Sequence, residues 1–484
     1  MTTPLTSRAV GAALPLPAVD DRRARLDAAV RLAGLLGLWG SLLLVTYWWD
    51  VDGGIGDLAG WASGLMSVGR LSGLLASVLM LVQVLMMARL PFLEHAFGAD
   101  RLAQLHRIVG FTSFDLLLLH LVTIIWGYAE GRLSATPATA WHLVKDYGGV
   151  LLSVAGFVCL VMVVFTSIRA ARRKLRYESW HLIHLYGYLG AGLALPHQLW
   201  AGQEFLLSPA RTVFWWTLWI ATAVAVVVWR VGLPVLRTLR HRLRVTAVVP
   251  EGDGVVSVWL GGRSLDRLPV EAGQFVHLRF LAGTGWSRGN PYSLSAAPDG
   301  HSLRITAKAV GDGSARLVAL APGTRVVVEG PYGRLSPRAR SRRRVALIGA
   351  GVGITPLRAL AEGLEYAPGE AVLLHRYAGQ PLFADEFSRL AADRGLQVVP
   401  LPGRRRDPGS WLGDRVPAEV SDAAALRFWV PDLADRDVFV CGPDAWAMTV
   451  QRLAEEAGTP RDHIHVESFG SGATAPSPVG VVAR

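Results

Sequence analysis

Cysteine is nearly absent: the 484-residue chain has two, Cys159 in an apolar run and Cys441 in the C-terminal half. That excludes a disulfide-stapled secreted fold. Charged residues are also sparse, at 18% against 51% hydrophobic. Such a chain is too apolar for an ordinary soluble enzyme, and disorder is excluded as its general state. No nucleophile–base triad and no metal-hydrolase cluster stands out, and there is no internal repeat. The first 22 residues are small, polar and dotted with proline, without an apolar stretch following the first basic residue. They read as a cytosolic tail rather than a signal peptide.

What the chain has in abundance is long apolar segments, near residues 31–49, 70–89, 107–127, 149–168, 182–201 and 212–234. Each is about 20 residues long, enough to cross a ~30 Å hydrocarbon layer as a helix. Six in a row could not share one aqueous core, so six spans are expected. The net charge of +11 follows the same plan. Arg22, Arg23 and Arg25 precede the first segment, and Arg89, Arg101 and Arg107 join the second to the third. Arg169, Arg172, Arg173, Lys174 and Arg176 join the fourth to the fifth, and Arg237, Arg240, Arg242 and Arg244 follow the sixth. The alternate loops are poor in basic residues. By the positive-inside rule both termini are cytoplasmic in the plasma membrane. The basic excess is then topology, and no nucleic-acid partner is expected.

From about residue 242 short alternating runs appear, such as Leu243–Val249, Val255–Leu260 and Phe275–Phe280, separated by Gly and Pro turns. After the basic run Arg338–Arg344 the pattern becomes strand, helix, strand: Val345–Ile348, Pro356–Leu364, Ala371–Leu374. The expected architecture is a multi-domain membrane protein. A tail at 1–27 precedes a six-helix bundle at 28–238, a small antiparallel β-barrel at 239–340, a parallel α/β nucleotide domain at 341–470 and a second tail at 471–484.

Four histidines fall inside apolar segments, where an ionisable group is costly and generally functional. His106 and His120 lie on the third, His184 and His197 on the fifth. Both segments run the same way, so His106 and His184 share one level and His120 and His197 another, about 20 Å away at 1.5 Å per residue. One imidazole from each helix at each level is what two stacked bis-histidine haems require. On an ideal helix His106 and His120 are about 40° apart, whereas His184 and His197 are about 140° apart. Pro196, by removing a helical hydrogen bond, is a candidate to re-aim His197. The plainer reading is interhelical hydrogen bonding by polar residues. His181 is an alternative to His184. Arg70 is a candidate to pair with a haem propionate or an anionic intermediate at the outer level, or to snorkel. Asp115 is a candidate proton relay, or a plain interhelical hydrogen bond.

In the C-terminal half, Asn290-Pro-Tyr-Ser-Leu-Ser295 offers Asn290, Tyr292 and Ser293 for a flavin: an aromatic to pack on the ring system and a hydroxyl for its chain. Lys308 and the Gly313-Ser314 step follow, the latter able to aim backbone N–H groups at a pyrophosphate. Gly349-Ala-Gly-Val-Gly-Ile-Thr-Pro356 places Gly349, Gly351, Gly353, Thr355 and Pro356 between a strand and a helix, a dinucleotide-phosphate geometry without the strict glycine fingerprint. Cys441-Gly442-Pro443 ends a second strand, where a thiol could line a nicotinamide or simply pack. Arg404 and Arg405, with Arg406, follow the strand Leu396–Leu401, suited to a 2′-phosphate and hence to NADPH, with NADH and a plain surface cluster as the alternatives.

In this order the parts resemble the NADPH-oxidase and ferric-reductase superfamily, from about residue 28 to Phe469. The resemblance rests on the four histidine spacings, on Glu178 and Trp180 upstream of His184, on Asn290-Pro-Tyr-Ser293, on Gly349–Pro356 and Cys441-Gly-Pro443, and on His465-Val-Glu-Ser-Phe469. It implies two b-type haems held by His106 with His184 and His120 with His197. It also implies FAD with Phe469 stacked on the flavin, NADPH on the α/β domain, and electron transfer to ferric iron or oxygen outside. Asn290 stands where the family has a basic residue, Ile124 where animal oxidases have a further histidine, and a tail follows Phe469. No Asp-rich calcium loop is present. Two other readings stay open: delivery of electrons to a separate protein partner, and a nucleotide sensor on a membrane anchor with structural histidines. Oligomeric state is not legible.

Overall fold

The computed structural model describes residues 21–168, 171, 177–200, 206, 208–283, 289–309 and 312–468. These form two compact units that divide at Leu236 and Arg237.

The first unit is helical. Its long helices are α1 (Asp21–Val51), α2 (Trp61–Met86), α3 (Ala99–Tyr128), α4 (Val150–Ser167), α5 (Tyr177–Trp200) and α6 (Pro209–Ala225). The helix begins at Asp21, inside the stretch read as a tail; Asp21-Arg-Arg-Ala-Arg25 has no residue that breaks a helix. Among the described residues, α1, α2, α3, α4 and the 33-residue run Pro209–His241 are long and apolar enough to cross a membrane. At 24 residues α5 is long enough, but His181, His184, Pro196, His197 and Gln198 dilute its apolar character, and it does not count with the five. The run from Pro209 includes a π-helical stretch, Val226–Gly232, just ahead of Pro234, whose missing N–H disturbs the regular ladder. The outward faces of these helices are apolar: Leu43, Val122, Val158 and Val213 are all exposed, as a lipid-facing surface requires.

Within the unit α2 packs along α3, and α4 along α5. Glycine sets the closeness of the second pair. A Cβ on Gly156 would lie 2.7 Å from the Gly190 carbonyl oxygen, and one on Gly190 would lie 2.9 Å from that of Gly156. Polar groups tie other helices together. Arg211, at the start of α6, makes a bidentate ion pair with Asp52, after α1, at 2.5 and 2.9 Å. Gln198 on α5 donates to Ser77 on α2 at 3.1 Å and accepts from Trp219 on α6 at 3.2 Å.

The second unit starts with two three-stranded antiparallel sheets. One has the order β1 (Arg244–Gly252), β2 (Val255–Gly261), β5 (Ser302–Lys308); the other has β4 (Asn290–Ser293), β3 (Phe275–Phe280), β6 (Val326–Tyr332). Both sheets contribute to one core of Val256, Val258, Leu260, Val276, Leu278, Leu294, Ile305 and Val328. Burial alternates along β3 and β6, the period expected of half-buried strands, whereas β2 and β5 are buried on both faces over most of their length. A five-stranded parallel sheet follows: β7 (Arg344–Ala350), β8 (Ala371–Tyr377), β9 (Gln397–Pro402), β10 (Arg436–Gly442) and β11 (Ile464–Ser468), in the order β11-β10-β7-β8-β9. It is covered on both faces, as parallel sheets must be. Ala346, Ile348, Val438 and Val440 enter one core, and Val345, Leu347, Phe439 and Cys441 the other.

The antiparallel sheets are pinned to the parallel part by a charge network. Arg304 on β5 holds Glu386 at 2.8 and 2.9 Å, Arg358 reaches the same carboxylate, and both arginines donate to the Ser295 carbonyl. Arg304 is almost wholly buried, so this is a fully engaged pair rather than a screened surface one.

Candidate functional site

In the helical unit a cavity of about 1430 Å³ is lined by all four sequence-picked histidines. They stand in two pairs. The ring centroids of His106 (α3) and His184 (α5) are 6.0 Å apart, and those of His120 (α3) and His197 (α5) are 6.4 Å apart. A metal-bound imidazole nitrogen lies about 2 Å from the ion and its ring centre about 1 Å further, so two rings on opposite sides of one ion sit roughly 6 Å apart. Both pairs have that spacing. Among the described residues no group of three or more His, Cys, Asp or Glu could hold a bare metal ion; the donors here come in twos.

The rings are held from behind. His106 Nδ1 lies 3.1 Å from the Gln83 carbonyl and His120 Nδ1 2.8 Å from the Gly69 carbonyl. A carbonyl only accepts, so each Nδ1 carries the hydrogen and each Nε2 keeps its lone pair for a ligand. His184 Nδ1 is 3.3 Å from Ser167 Oγ, with the Trp180 ring tilted against its own at 4.9 Å between centroids. His197 Nδ1 is buried and has no hydrogen-bond partner. Glycines make the room: a Cβ on Gly73 would lie 2.6 Å from His120 Nδ1, and one on Gly149 would lie 2.6 Å from the backbone nitrogen of His197. These backbone supports are invisible to residue-type reasoning.

Pro196 lies inside a continuous helix, and His197 pairs with His120 despite the unfavourable ideal-helix angle. His181 also lines the cavity, one turn before His184. Arg70 lines it too, 4.0 Å from Asp57, with Nε and Nη2 buried and lacking hydrogen-bond partners. Asp115 is exposed on α3.

In the second unit Asn290, Tyr292 and Ser293 form β4 against β3, with Ser293 opposite Phe275. Tyr292 and Ser293 are buried, and Ser293 Oγ has no hydrogen-bond partner. Burial pushes the Tyr292 hydroxyl above its ordinary pKa. An orphaned buried hydroxyl on the predicted flavin strand fits a bound polar group. Lys308 is exposed at the end of β5; Gly313 and Ser314 lie in the short helical turn Asp312–Ala315. Phe469 lies outside the described residues.

The glycine turn has the expected strand–turn–helix form, with β7 leading into α7 (Ile354–Gly363), which begins two residues before Pro356. Its three glycines act differently. A Cβ on Gly349 would press on Ile354 and Leu357, and one on Gly353 would strike the Cys441 carbonyl. Gly351 has φ +55° and open space beside it, room for a phosphate against bare backbone. Thr355 is buried and donates to the Val352 carbonyl at 2.9 Å, closing the turn.

Cys441, next to last in β10, lies between Gly349 of β7 and Glu467 of β11. Burial, then the Glu467 charge, push its thiol well above its ordinary pKa. Gly442 packs closely on Trp446, which follows Pro443 at the start of the helix Asp444–Glu456. Arg404 is exposed and Arg405 is anchored by Nε on the Ser410 carbonyl at 2.6 Å, while Arg406 is tied to Asp422 at 2.9 Å. Sequence reasoning missed Arg376 at the end of β8. Burial, then nearby Arg405, push its guanidinium below the ordinary value against the opposing charge of Asp414, and its Nε is buried without a partner. Two cations drawn together at a strand end favour an anion there.

Comparison with known proteins agrees with both halves. The family model described as "Ferric reductase like transmembrane component" matches residues 72–195. Ferredoxin--NADP reductase B of Sorangium cellulosum is 32% identical over 211 residues, 41% of this chain and 85% of that protein. The ferredoxin reductase component of 3-ketosteroid-9-alpha-monooxygenase from Mycolicibacterium smegmatis is 33% identical over 233 residues, 46% of this chain. The chain spans only 60% of that relative's length. Among solved structures, a cytochrome P450 reductase from Amycolatopsis matches at TM-score 0.39 and 25% identity, over 48% of this chain and 69% of the other. The chain thus belongs to the ferredoxin–NADP reductase family, is similar over residues 72–195 to the ferric reductase-like transmembrane component, and is an NAD(P)H-dependent oxidoreductase.

Proposed function

We propose that this protein carries electrons across the plasma membrane, from cytosolic NADPH through FAD and two b-type haems to an acceptor on the far side, ferric iron in a chelate or molecular oxygen. Six spans with both termini in the cytoplasm give the wiring its direction, α5 being counted with the five more apolar helices. Residues 28–238 form the haem domain, 239–340 a flavin β-barrel and 341–470 the nicotinamide domain. The observation that carries the reading is the two histidine pairs, 6.0 and 6.4 Å between ring centres, in one cavity large enough for two flat groups.

When bound, FAD supplies a carrier that takes two electrons and releases them singly, and the haems supply one-electron carriers at two depths. The chain's own part is placement. His106 with His184, and His120 with His197, offer Nε2 lone pairs at each level, their rings fixed by Gln83, Gly69 and Ser167. Arg70 offers orphaned donors to an acidic substituent at the outer level. Ser293 offers its unpartnered hydroxyl to a flavin, with Asn290, Tyr292, Lys308 and the Gly313-Ser314 turn as its further contacts. Gly351 offers bare backbone to the nucleotide pyrophosphate, Arg404, Arg405 and Arg376 grip a 2′-phosphate, and Cys441 with Gly442 and Pro443 bounds the nicotinamide. The high-pKa thiol of Cys441 stays neutral and presents a soft, uncharged wall.

The test uses purified full-length protein supplied with haem and FAD. Two haems per chain and NADPH-driven haem reduction are expected. Dismutase-sensitive cytochrome c reduction in air is then compared with ferric-chelate reduction under argon. A dominant superoxide rate identifies oxygen as acceptor, and a dominant anaerobic rate identifies ferric iron. Haem reduction with neither rate points to a separate protein acceptor. Protein without haem absorbance overturns the proposal.

A further inference from the structure

The two histidine pairs are not equivalent. At the His106/His184 level both Nδ1 atoms have partners, the Gln83 carbonyl at 3.1 Å and Ser167 Oγ at 3.3 Å. At the His120/His197 level only His120 has one, the Gly69 carbonyl at 2.8 Å, while His197 Nδ1 is buried with none. The direction of the Ser167 contact is fixed by its other bonds. The hydroxyl hydrogen goes to the Val163 carbonyl at 2.7 Å, so the oxygen is left as an acceptor for His184 Nδ1 and for Trp180 Nε1 at 3.4 Å.

An imidazole whose Nδ1–H is donated to an acceptor is more basic at Nε2 and a stronger electron donor to a metal. Stronger donation stabilises the oxidised iron and lowers its reduction potential. We propose that this asymmetry of backing hydrogen bonds gives the His106/His184 level the lower potential, with Ser167 as the positioning residue that sets it. With haem bound at both levels, the exchange this would favour is a single electron passing from the His106/His184 level, which would be oxidised, to the His120/His197 level, which would be reduced. No bond is made and no proton or co-reactant is needed. The difference therefore biases transfer toward the far side without any moving part. The inference rests on the haem reading above and adds to it a direction and a residue.

The test is a spectropotentiometric titration of the full-length protein carrying both haems. In the unmodified protein, the haem missing from His120→Ala should be the one with the higher midpoint. Loss of the lower-midpoint haem instead overturns the proposal. Ser167→Ala should raise the lower midpoint and narrow the gap, with the higher midpoint unmoved, and Ser167→Thr should restore it. An unchanged lower midpoint in Ser167→Ala overturns the role of Ser167. Where Ser167→Ala does not retain haem, the His120→Ala comparison alone decides the order of potentials. Absence of any haem spectrum in the unmodified protein instead overturns the haem reading itself, so the two failures are distinguishable.

Discussion

The ring of His120 fills the space where a side chain at Gly73 would begin: a Cβ there would lie 2.6 Å from Nδ1. One turn earlier on α2, Gly69 supplies the carbonyl that the same Nδ1 faces at 2.8 Å. A glycine pair at i and i+4 thus both admits the ring and fixes its hydrogen. Gly73→Val is expected to displace His120 at an overpacking cost of about 1–3 kcal/mol. The protein should keep one haem of two, with flavin content and NADPH-to-dye reduction intact. Haem-to-protein ratio by pyridine haemochrome checks it, and an unchanged ratio of two counts against the cradle.

A second glycine bears on the opposite ring. Gly149 has φ +79°, and a Cβ on it would lie 2.6 Å from the His197 nitrogen and 2.7 Å from the Pro196 carbonyl carbon. Those are backbone atoms, which cannot swing aside. Gly149→Ala combines left-handed strain of about 1–2 kcal/mol with overpacking of about 1–3 kcal/mol. Expected are a lower thermal midpoint and partial loss of the higher-potential haem, with the lower-potential haem retained. Full retention of both would mean that α5 yields at Pro196.

The histidine levels were legible because rise per residue is fixed by helix geometry whatever the neighbours are. The glycine turn was legible because strand, bare backbone and helix must follow in that order to present N–H groups to phosphate. The azimuth of His197 was not. An ideal-helix angle ignores a proline inside the helix and a neighbouring glycine that lets backbone approach it. The backing acceptors of His106 and His120 are main-chain carbonyls, which every residue owns. Asp52 and Arg211 pair across 159 positions, a contact that no local pattern in the sequence announces. Arg376 hid in an ordinary strand ending, His375-Arg-Tyr377.

Arg376 and Arg405 give a prediction about nucleotide choice. Arg405 is steadied by the Ser410 carbonyl at 2.6 Å, and Arg376 is depressed by burial and by Arg405 beside it. An anion relieves that crowding. Charge-assisted hydrogen bonds contribute about 1.5–3 kcal/mol each, so Arg376→Gln or Arg405→Gln should raise KM for NADPH roughly tenfold or more. KM for NADH and kcat should stay near their original values. Steady-state dye reduction with each nucleotide checks it. Equal losses with both would assign the pair to structure.

Acid stability of the reductase half should depend on Asp437 at the start of β10. Its side chain is wholly buried and accepts from the backbone N–H groups of Ser341 and Arg342 and from His463 Nδ1 at 3.0 Å, with His465 Nε2 3.6 Å away. Burial opposes the charge, but His465 and the two N–H groups outweigh it and hold the carboxyl at about 2. The folded pKa is below that of a free aspartate, about 3.9. The carboxylate therefore stabilises the fold fully above that value, and the gain is lost as pH falls toward about 2. The shift corresponds to roughly 2–3 kcal/mol at neutral pH, at about 1.4 kcal/mol per pKa unit. Asp437→Asn also sets an amide against backbone donors. It should lower the thermal midpoint by several degrees at pH 7, with the gap from the unmodified protein shrinking below pH 4. Thermal unfolding of the full-length protein in detergent from pH 7 to pH 3 measures both. A gap that stays constant over that range would mean that the loss comes from altered hydrogen bonding alone, with no part played by the carboxylate charge.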